Sequence, residues 1–223
     1  MIPRLFIICL ITLFATSTFA ADSPKTEEQK TLYALGLIVA KQLAVFNLTP
    51  AELEFVKQGI TDSVSGKKAE LELTAAANEK VQDLARARRK IQGEKMAGVY
   101  KEFLEKAAKE KGAVKTESGL VYTPVIEGVG PHPKTTDTVK VNYRGTLIDG
   151  KEFDSSFKRG KPSEFKLDGV IKCWTEGLQK MKAGGKAKLV CPATLAYGDA
   201  GPTELILPGA TLVFDVDLIE IKK

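Results

Sequence analysis

Two hydrophobic rhythms divide the chain. From about residue 26 to residue 112 apolar positions recur at helical spacing, and beyond Gly112 they alternate as in short strands. Thr26-Glu27-Glu28-Gln29 is a capping box, predicting a helix with Leu32, Leu35, Gly36, Val39, Ala40 and Leu43 on one stripe. Tyr33, Leu37 and Phe46 fall off that stripe, so this helix needs burial on several sides. A second start signal has Thr49 as N-cap, Pro50 in the first turn and Glu52 closing the box, with Leu48 and Leu53 placed for a hydrophobic staple. Leu53, Val56, Ile60 and Val64 form its expected buried stripe, and Gly66 ends it. Thr74 to Lys111 is rich in Ala, Glu, Lys, Arg and Gln and predicts one long helix, about 57 Å if continuous. Its middle, Arg86 to Lys95, has little apolar content besides Ile91 and reads as a solvent-exposed spacer. Gly93 and Gly98 each weaken such a helix by about 1 kcal/mol relative to Ala.

After Gly112 the composition turns to Gly, Pro and β-branched residues, with GVGPHPKTTD a turn-rich loop. Val139, Val141 and Tyr143 alternate with Lys140 and Asn142, and Asp149-Gly150 predicts a hairpin turn into Lys151-Glu152-Phe153. Leu212, Phe214, Val216 and Leu218 alternate in a last strand, while Val170, Ile171, Trp174 and Leu178 share a face of one short helix. The expected class is therefore α+β: an N-terminal all-helical domain with a long spacer helix, then an antiparallel sheet wrapped around one short helix. Two short helices make a poor core for so apolar a segment, so self-association through the N-terminal part is expected.

Residues 1–20 have one Arg, an apolar run from Leu5 to Phe14 and small residues up to Ala20-Ala21. That is the form of a secretory signal peptide, and the run is too short for a membrane-spanning anchor, which needs roughly 20 residues. Cleavage would leave 203 residues, enough for one or two domains, and losing Arg4 would lower the formal charge from +5 to +4. The basic run Arg86, Arg88, Arg89 and Lys90 reads as a solvated helix face rather than a nucleic-acid or lipid site. Outside the leader only Cys173 and Cys191 remain. An even pair in an exported chain favours a disulfide, with two buried thiols or a metal site as the rival readings. A metal would need more ligands, and His132 is the sole histidine, in a Pro-flanked loop. No acid–base triad, dinucleotide loop or Walker sequence is present, and no cofactor is expected.

Between Val139 and Ile221 lie Tyr143, Phe153, Phe165, Trp174, Tyr197 and Phe214 with Val170, Ile171 and Ile206: enough aromatic and aliphatic surface for a cup, without a nucleophile to place in it. Tyr143, Asp154, Arg159 and Tyr197 bring polar groups toward these apolar neighbours, which a plain core avoids. The segments VNYRGTL, DGKEFDSS, VIKCWTEGLQKM, LAYGDAG and ATLVFDVDL, in this order, resemble FKBP-type peptidyl-prolyl cis-trans isomerases from about Lys115 to the C-terminus. YALGLIVAKQL and the following KQGITDSVSGK resemble the dimerisation domain of the periplasmic FkpA and surface Mip type within that family.

The resemblance implies four segments: residues 1–20 as signal peptide, 21–73 as a helical dimerisation domain, 74–112 as spacer helix and 113–223 as the isomerase domain. It also implies roles by position. Trp174 would be the floor for the substrate proline, Tyr143, Phe153 and Phe214 the walls, and Val170 and Ile171 the rim. The Ile171 N–H would bind a substrate or macrolide carbonyl, the Tyr197 hydroxyl would hydrogen-bond the ligand, and Asp154 would be the pocket carboxylate held by Tyr143 and Arg159. Phe165 and Ile206 complete the expected substrate site. Ser163 stands where the family usually has an aromatic residue, and Leu207 where it usually has a proline. Expected partners are proline-containing unfolded polypeptides, macrolides such as rapamycin or tacrolimus as inhibitors, and a second copy through residues 26–112. No nucleic acid and no membrane span after processing are expected. The expected location is the periplasm, or the outer-membrane surface. The competing expectation is a chaperone-like or surface-binding protein whose turnover is secondary.

Overall fold

The computed structural model describes residues 23–203 and 205–223. The expected leader, residues 1–20, lies outside them. The chain forms two compact units, one ending at Gln42 and one running from Leu43 to Lys223.

Among the described residues, the first unit consists mainly of helix α1, Glu27–Leu43, whose last residue opens the second unit. Its start is the expected reciprocal cap: the Gln29 N–H donates to Thr26 Oγ1 at 3.1 Å, and Gln29 Oε1 accepts from the Thr26 N–H at 3.1 Å. No residue of α1 is buried, and Leu32, Leu35, Leu37 and Ile38 are each at least half exposed.

In the second unit, a single 3-10 turn at Ala44–Phe46 leads to α2, Pro50–Val64. Thr49 and Glu52 form the predicted capping box, with Pro50 in the first turn. The expected stripe of α2 is not buried within the chain, since Ile60 and Val64 face outward. Helix α3 runs unbroken from Ala75 to Ala107, capped by Thr74 Oγ1 accepting from the Ala77 N–H, and spans about 50 Å.

The remaining elements are β1 (Val114–Lys115), β2 (Val121–Ile126), β3 (Thr138–Leu147), β4 (Glu152–Ser155), β5 (Ser163–Lys166), α4 (Lys172–Gln179), β6 (Lys186–Cys191) and β7 (Leu212–Lys222). All pairings are antiparallel, in the order β1-β2-β6-β7-β3-β4, with β5 also on β3. Asp149-Gly150 makes the expected hairpin turn between β3 and β4: Gly150 adopts φ +85, and the Lys151 N–H donates to Asp149 Oδ1 at 2.9 Å.

Period-two alternation gives the sheet two apolar faces. Leu189, Leu212, Phe214 and Val216 point to one, where they pack with Cys173, Trp174 and Leu178 of α4. Val121, Val190 and Val213 point to the other, covered by Ala107, Phe103 and Leu104 of α3. A Cys173–Cys191 disulfide, Cα to Cα 5.7 Å, ties α4 to β6. The α+β reading holds, with antiparallel strands around one short helix.

Two expectations are corrected. Val170 and Ile171 precede α4 rather than lying within it; Ile171 is its N-cap. The middle of α3 is also not a bare spacer. Arg88 pairs with Glu52 of α2, Arg89 reaches backbone carbonyls near the end of the chain, and Gly93 is buried. Composition misleads here because an arginine meeting carbonyls or a carboxylate packs against protein as effectively as an apolar side chain does.

Candidate active site

The site forms where β3, β4, β5 and β7 curl over α4. Register does the first part of the work. Gly145 of β3 faces Asp154 of β4 on one side and Phe214 of β7 on the other, and Tyr143 lies two residues away on the same face. Gly145 is required there: a Cβ would sit 2.7 Å from the Phe153 ring and 3.0 Å from Phe214. Between β4 and β5 the edge of β3 is bridged by buried Ser156, whose N–H donates to the Tyr143 carbonyl (3.0 Å) and whose Oγ accepts the Tyr143 N–H (2.9 Å). The peptide ahead of α4 is fixed as well. Thr175 Oγ1 donates to the Leu167 carbonyl at 2.8 Å, and the Leu167 N–H donates to the Asp137 carbonyl at 3.0 Å.

These elements enclose a cavity of about 300 Å³ lined by Tyr143, Phe153, Asp154, Phe165, Gly169, Val170, Ile171, Trp174, Tyr197 and Phe214. That is the small end of the range for ligand pockets. Trp174 is the hub: Tyr143, Phe165 and Phe214 meet it edge to face, with centroids 5.0, 5.5 and 5.4 Å away. Phe153 stands edge-on to Phe214 at 5.6 Å. Arg159 and Ile206 do not line the cavity; Arg159 braces its polar side, and Ile206 is buried in the adjoining core. Two roomier clefts, about 500 and 650 Å³, are lined by charged side chains together with small residues in the first and are without this aromatic set.

The polar side is one connected group. Asp154 Oδ2 accepts from the Tyr143 hydroxyl at 2.5 Å, and Oδ1 accepts from Arg159 Nη1 at 2.6 Å and the Ser155 N–H at 2.8 Å. Arg159 Nη2 also donates to the Tyr143 hydroxyl (2.8 Å) and Ser163 Oγ (3.1 Å), with its guanidinium carbon 5.4 Å from the Tyr143 ring centroid. Partial burial pushes the Asp154 carboxyl up, but hydrogen bonds from Tyr143 and Arg159, the Arg159 charge and the Ser155 N–H outweigh it and hold the pKa below the ordinary value. Burial raises both Tyr143 and Tyr197, reinforced at Tyr143 by its hydrogen bond to Asp154 and at Tyr197 by the nearby Asp154 charge. At neutral pH the site therefore presents one carboxylate and two intact phenols. Among the described residues the Tyr197 hydroxyl and the Ile171 N–H have no hydrogen-bond partner, and no three metal-ligating side chains cluster.

Sequence reading misses Gly145, Ser156 and Gly169. Ser163 was noted only as a lost aromatic, yet it supplies an acceptor to Arg159. The cue lay nearby, in an arginine four residues before it.

The sequence matches the family described as "FKBP-type peptidyl-prolyl cis-trans isomerase" over residues 130–219 and its "domain amino terminal to FKBP-type peptidyl-prolyl isomerase" over residues 28–123. It is 42% identical to the Escherichia coli FKBP-type isomerase FkpA, covering 95% of this chain and 87% of that one. It is 37% identical to the isomerase Mip of Coxiella burnetii over 95% of this chain and 94% of that protein. The crystal structure of Escherichia coli FkpA superposes with a TM-score of 0.66 at 42% identity, covering 90% of this chain and 99% of the other. With an aromatic cavity of this form at the heart of the matched segment, the chain belongs to the FKBP-type peptidyl-prolyl cis-trans isomerases and is an enzyme of that class.

Proposed function

We propose that the 300 Å³ cavity is where an Xaa-Pro bond is rotated, by desolvation and shape rather than by covalent or acid–base chemistry. The barrier, about 18–20 kcal/mol, reflects amide resonance lost as the C–N bond twists. Twisting makes the carbonyl less dipolar, so water favours the planar ground state over the twisted one. A dry aromatic cup that fits the twisted imide lowers the barrier by differential binding. Trp174 is the floor for the prolyl ring, and Tyr143, Phe153, Phe165 and Phe214 surround it. Val170 and Ile171 form the rim, with the free Ile171 N–H donating to a substrate carbonyl and the Tyr197 hydroxyl donating from the opposite loop. Asp154, held ionised by Tyr143 and Arg159, orients the imide carbonyl through its field. Ile206 backs the loop wall from the core.

The observation that carries this reading is the set of three rings edge-on to Trp174 beside a carboxylate with every oxygen engaged. A protease-coupled assay on Xaa-Pro peptides tests it: Asp154→Ala and Tyr143→Ala should each lower kcat/KM, and parental turnover in both would refute the assignment. The same apolar cup suits macrolides such as rapamycin or tacrolimus, which should inhibit.

The substrates are proline-containing polypeptides that have not finished folding. The apolar leader and the disulfide support export, with the periplasm as the working compartment and the outer surface as the alternative. Among the described residues no helix is long and apolar enough to cross a membrane. Residues 21–73 act as the dimerisation domain, 74–112 as the connecting helix and 113–223 as the catalytic domain. A homodimer through residues 26–112 is supported by the outward apolar side chains of α1 and α2: Leu32, Leu35, Leu37, Ile38, Phe55 and Ile60. The same exposed surface favours a second reading, in which these helices hold unfolded clients and isomerisation is subsidiary. Suppression of aggregation by the full chain with its pocket blocked by rapamycin would favour it.

A further inference from the structure

Helix α3 presents one continuous face to the body of the second unit: Arg89, Gly93, Met96, Tyr100, Phe103 and Ala107, spaced by three or four residues. Its apolar end covers the sheet. Its other end, Arg89 and Gly93, meets the loop that leaves the pocket at Tyr197 and returns to the core at Ile206. Arg89 Nη2 donates to the carbonyl oxygens of Gly201 (2.6 Å), Ile206 (2.9 Å) and Thr203. One terminal nitrogen thus gathers three carbonyls that would otherwise repel one another and splay the loop. Gly93 lets the Pro208 backbone lie against the helix, because a Cβ there would collide with the Pro208 carbonyl oxygen. Gly201 completes the joint: at φ +49, its Cβ position lies 2.8 Å from both Arg89 Nη2 and the Ile206 carbonyl oxygen. At the loop base the Gly209 N–H donates to the Gly198 carbonyl at 2.9 Å. Tyr197 lines the cavity, and Ile206, 3% exposed, packs in the same core as Trp174.

We propose, resting on the pocket assignment above, that Arg89 and Gly93 are positioning residues for substrate binding. Helix α3 fixes the loop wall of the pocket, so this enzyme's affinity for prolyl substrates depends on a helix outside the sheet domain. The effect belongs to binding. The loop carries Tyr197 to the cavity, while the ring array around Trp174 is held by β3, β5, β7 and α4 and is untouched by α3's Arg89.

The test uses the full chain with Arg89→Ala, Arg89→Lys, Gly93→Ala and Asp154→Ala, measuring KM and kcat on an Xaa-Pro peptide and the Kd of rapamycin by calorimetry. Arg89→Ala should raise KM and Kd about three- to tenfold with kcat within about twofold of the parent. Arg89→Lys should restore most of the loss, since an ammonium offers three donors to three carbonyls. Gly93→Ala should raise KM although alanine strengthens a helix interior, because its Cβ would push the Pro208 backbone and the loop away. Parental KM and Kd in both Arg89→Ala and Gly93→Ala, with Asp154→Ala impaired, would overturn the inference and leave the pocket standing. A fall in kcat at unchanged KM would overturn it too. Parental turnover in both Asp154→Ala and Tyr143→Ala, the pair assayed for the pocket, would remove the pocket assignment and this inference with it.

Discussion

Asp154 is 43% exposed at its side chain, yet both of its oxygens are committed to neighbours. Its lowered pKa sets a pH expectation. The ionised form contributes fully above the ordinary value of 3.8 and is lost only as pH falls through the lower folded value. Isomerase activity should therefore stay flat through mildly acidic buffer and decline only below the usual aspartate range; a midpoint near pH 6 would contradict this. Tyr143→Phe removes the hydroxyl shared by Asp154 and Arg159. A hydrogen bond to a charged group contributes about 1.5–3 kcal/mol, so kcat/KM should drop about tenfold or more. Gly145→Ala places a methyl against Phe153 and Phe214 and should cost about 1–3 kcal/mol in denaturant unfolding while lowering activity. The aromatic members of the site were legible in the sequence because ring size and apolarity are written into residue type. Gly145, Ser156 and Ser163 were not, because each acts through what stands opposite it, and that pairing exists only once β3 has found β4, β5 and β7.

At the level of elements, the helix caps were the most readable features. Thr26 and Thr49 each accept the N–H that the expected capping boxes assign them, since capping is settled within four residues, and Thr74 caps α3 in the same way. The packing face of α3 was hidden for the opposite reason. Arg89 and Gly93 look like a solvated charge and a helix defect until a distant loop supplies the carbonyls and the close approach. The Glu52–Arg88 pair joins α2 to α3, and the hydrogen bond from Arg88, with those from Thr49, lowers Glu52 from 4.5 to about 2. Its contribution is complete above about pH 4.5 and disappears as pH falls through about 2. Glu52→Gln should thus lower the thermal midpoint slightly at neutral pH, with parent and variant converging near pH 2 and in high salt; a gap that persists at pH 2 would rule this out. Between α4 and β6, removing the disulfide by Cys173→Ser with Cys191→Ser opens a covalent loop of sequence separation 18. The expected loss is about 3 kcal/mol in chemical denaturation, with turnover retained where the protein stays folded.

On the scale of the whole molecule, the apolar excess of the first helices was plain from their periodicity, and the structure leaves that excess uncovered within one chain. If a second copy covers it, Ile38→Glu should convert a sedimenting dimer to a monomer with per-site turnover on short peptides unchanged. Catalysed refolding of long proline-containing chains should suffer more, because two linked pockets raise the effective concentration for a second prolyl bond. A parental sedimentation profile for the variant would place the interface elsewhere.

The protein's single tryptophan follows directly on one half of its disulfide. Sulfur–sulfur bonds quench excited indoles at short range, so emission from this protein should brighten when a reductant cuts the bridge. The fluorophore lies at the base of the cup, so an occupant displacing water there should shift its colour instead of its intensity alone. Redox state and occupancy would then be readable in one cuvette, without any label.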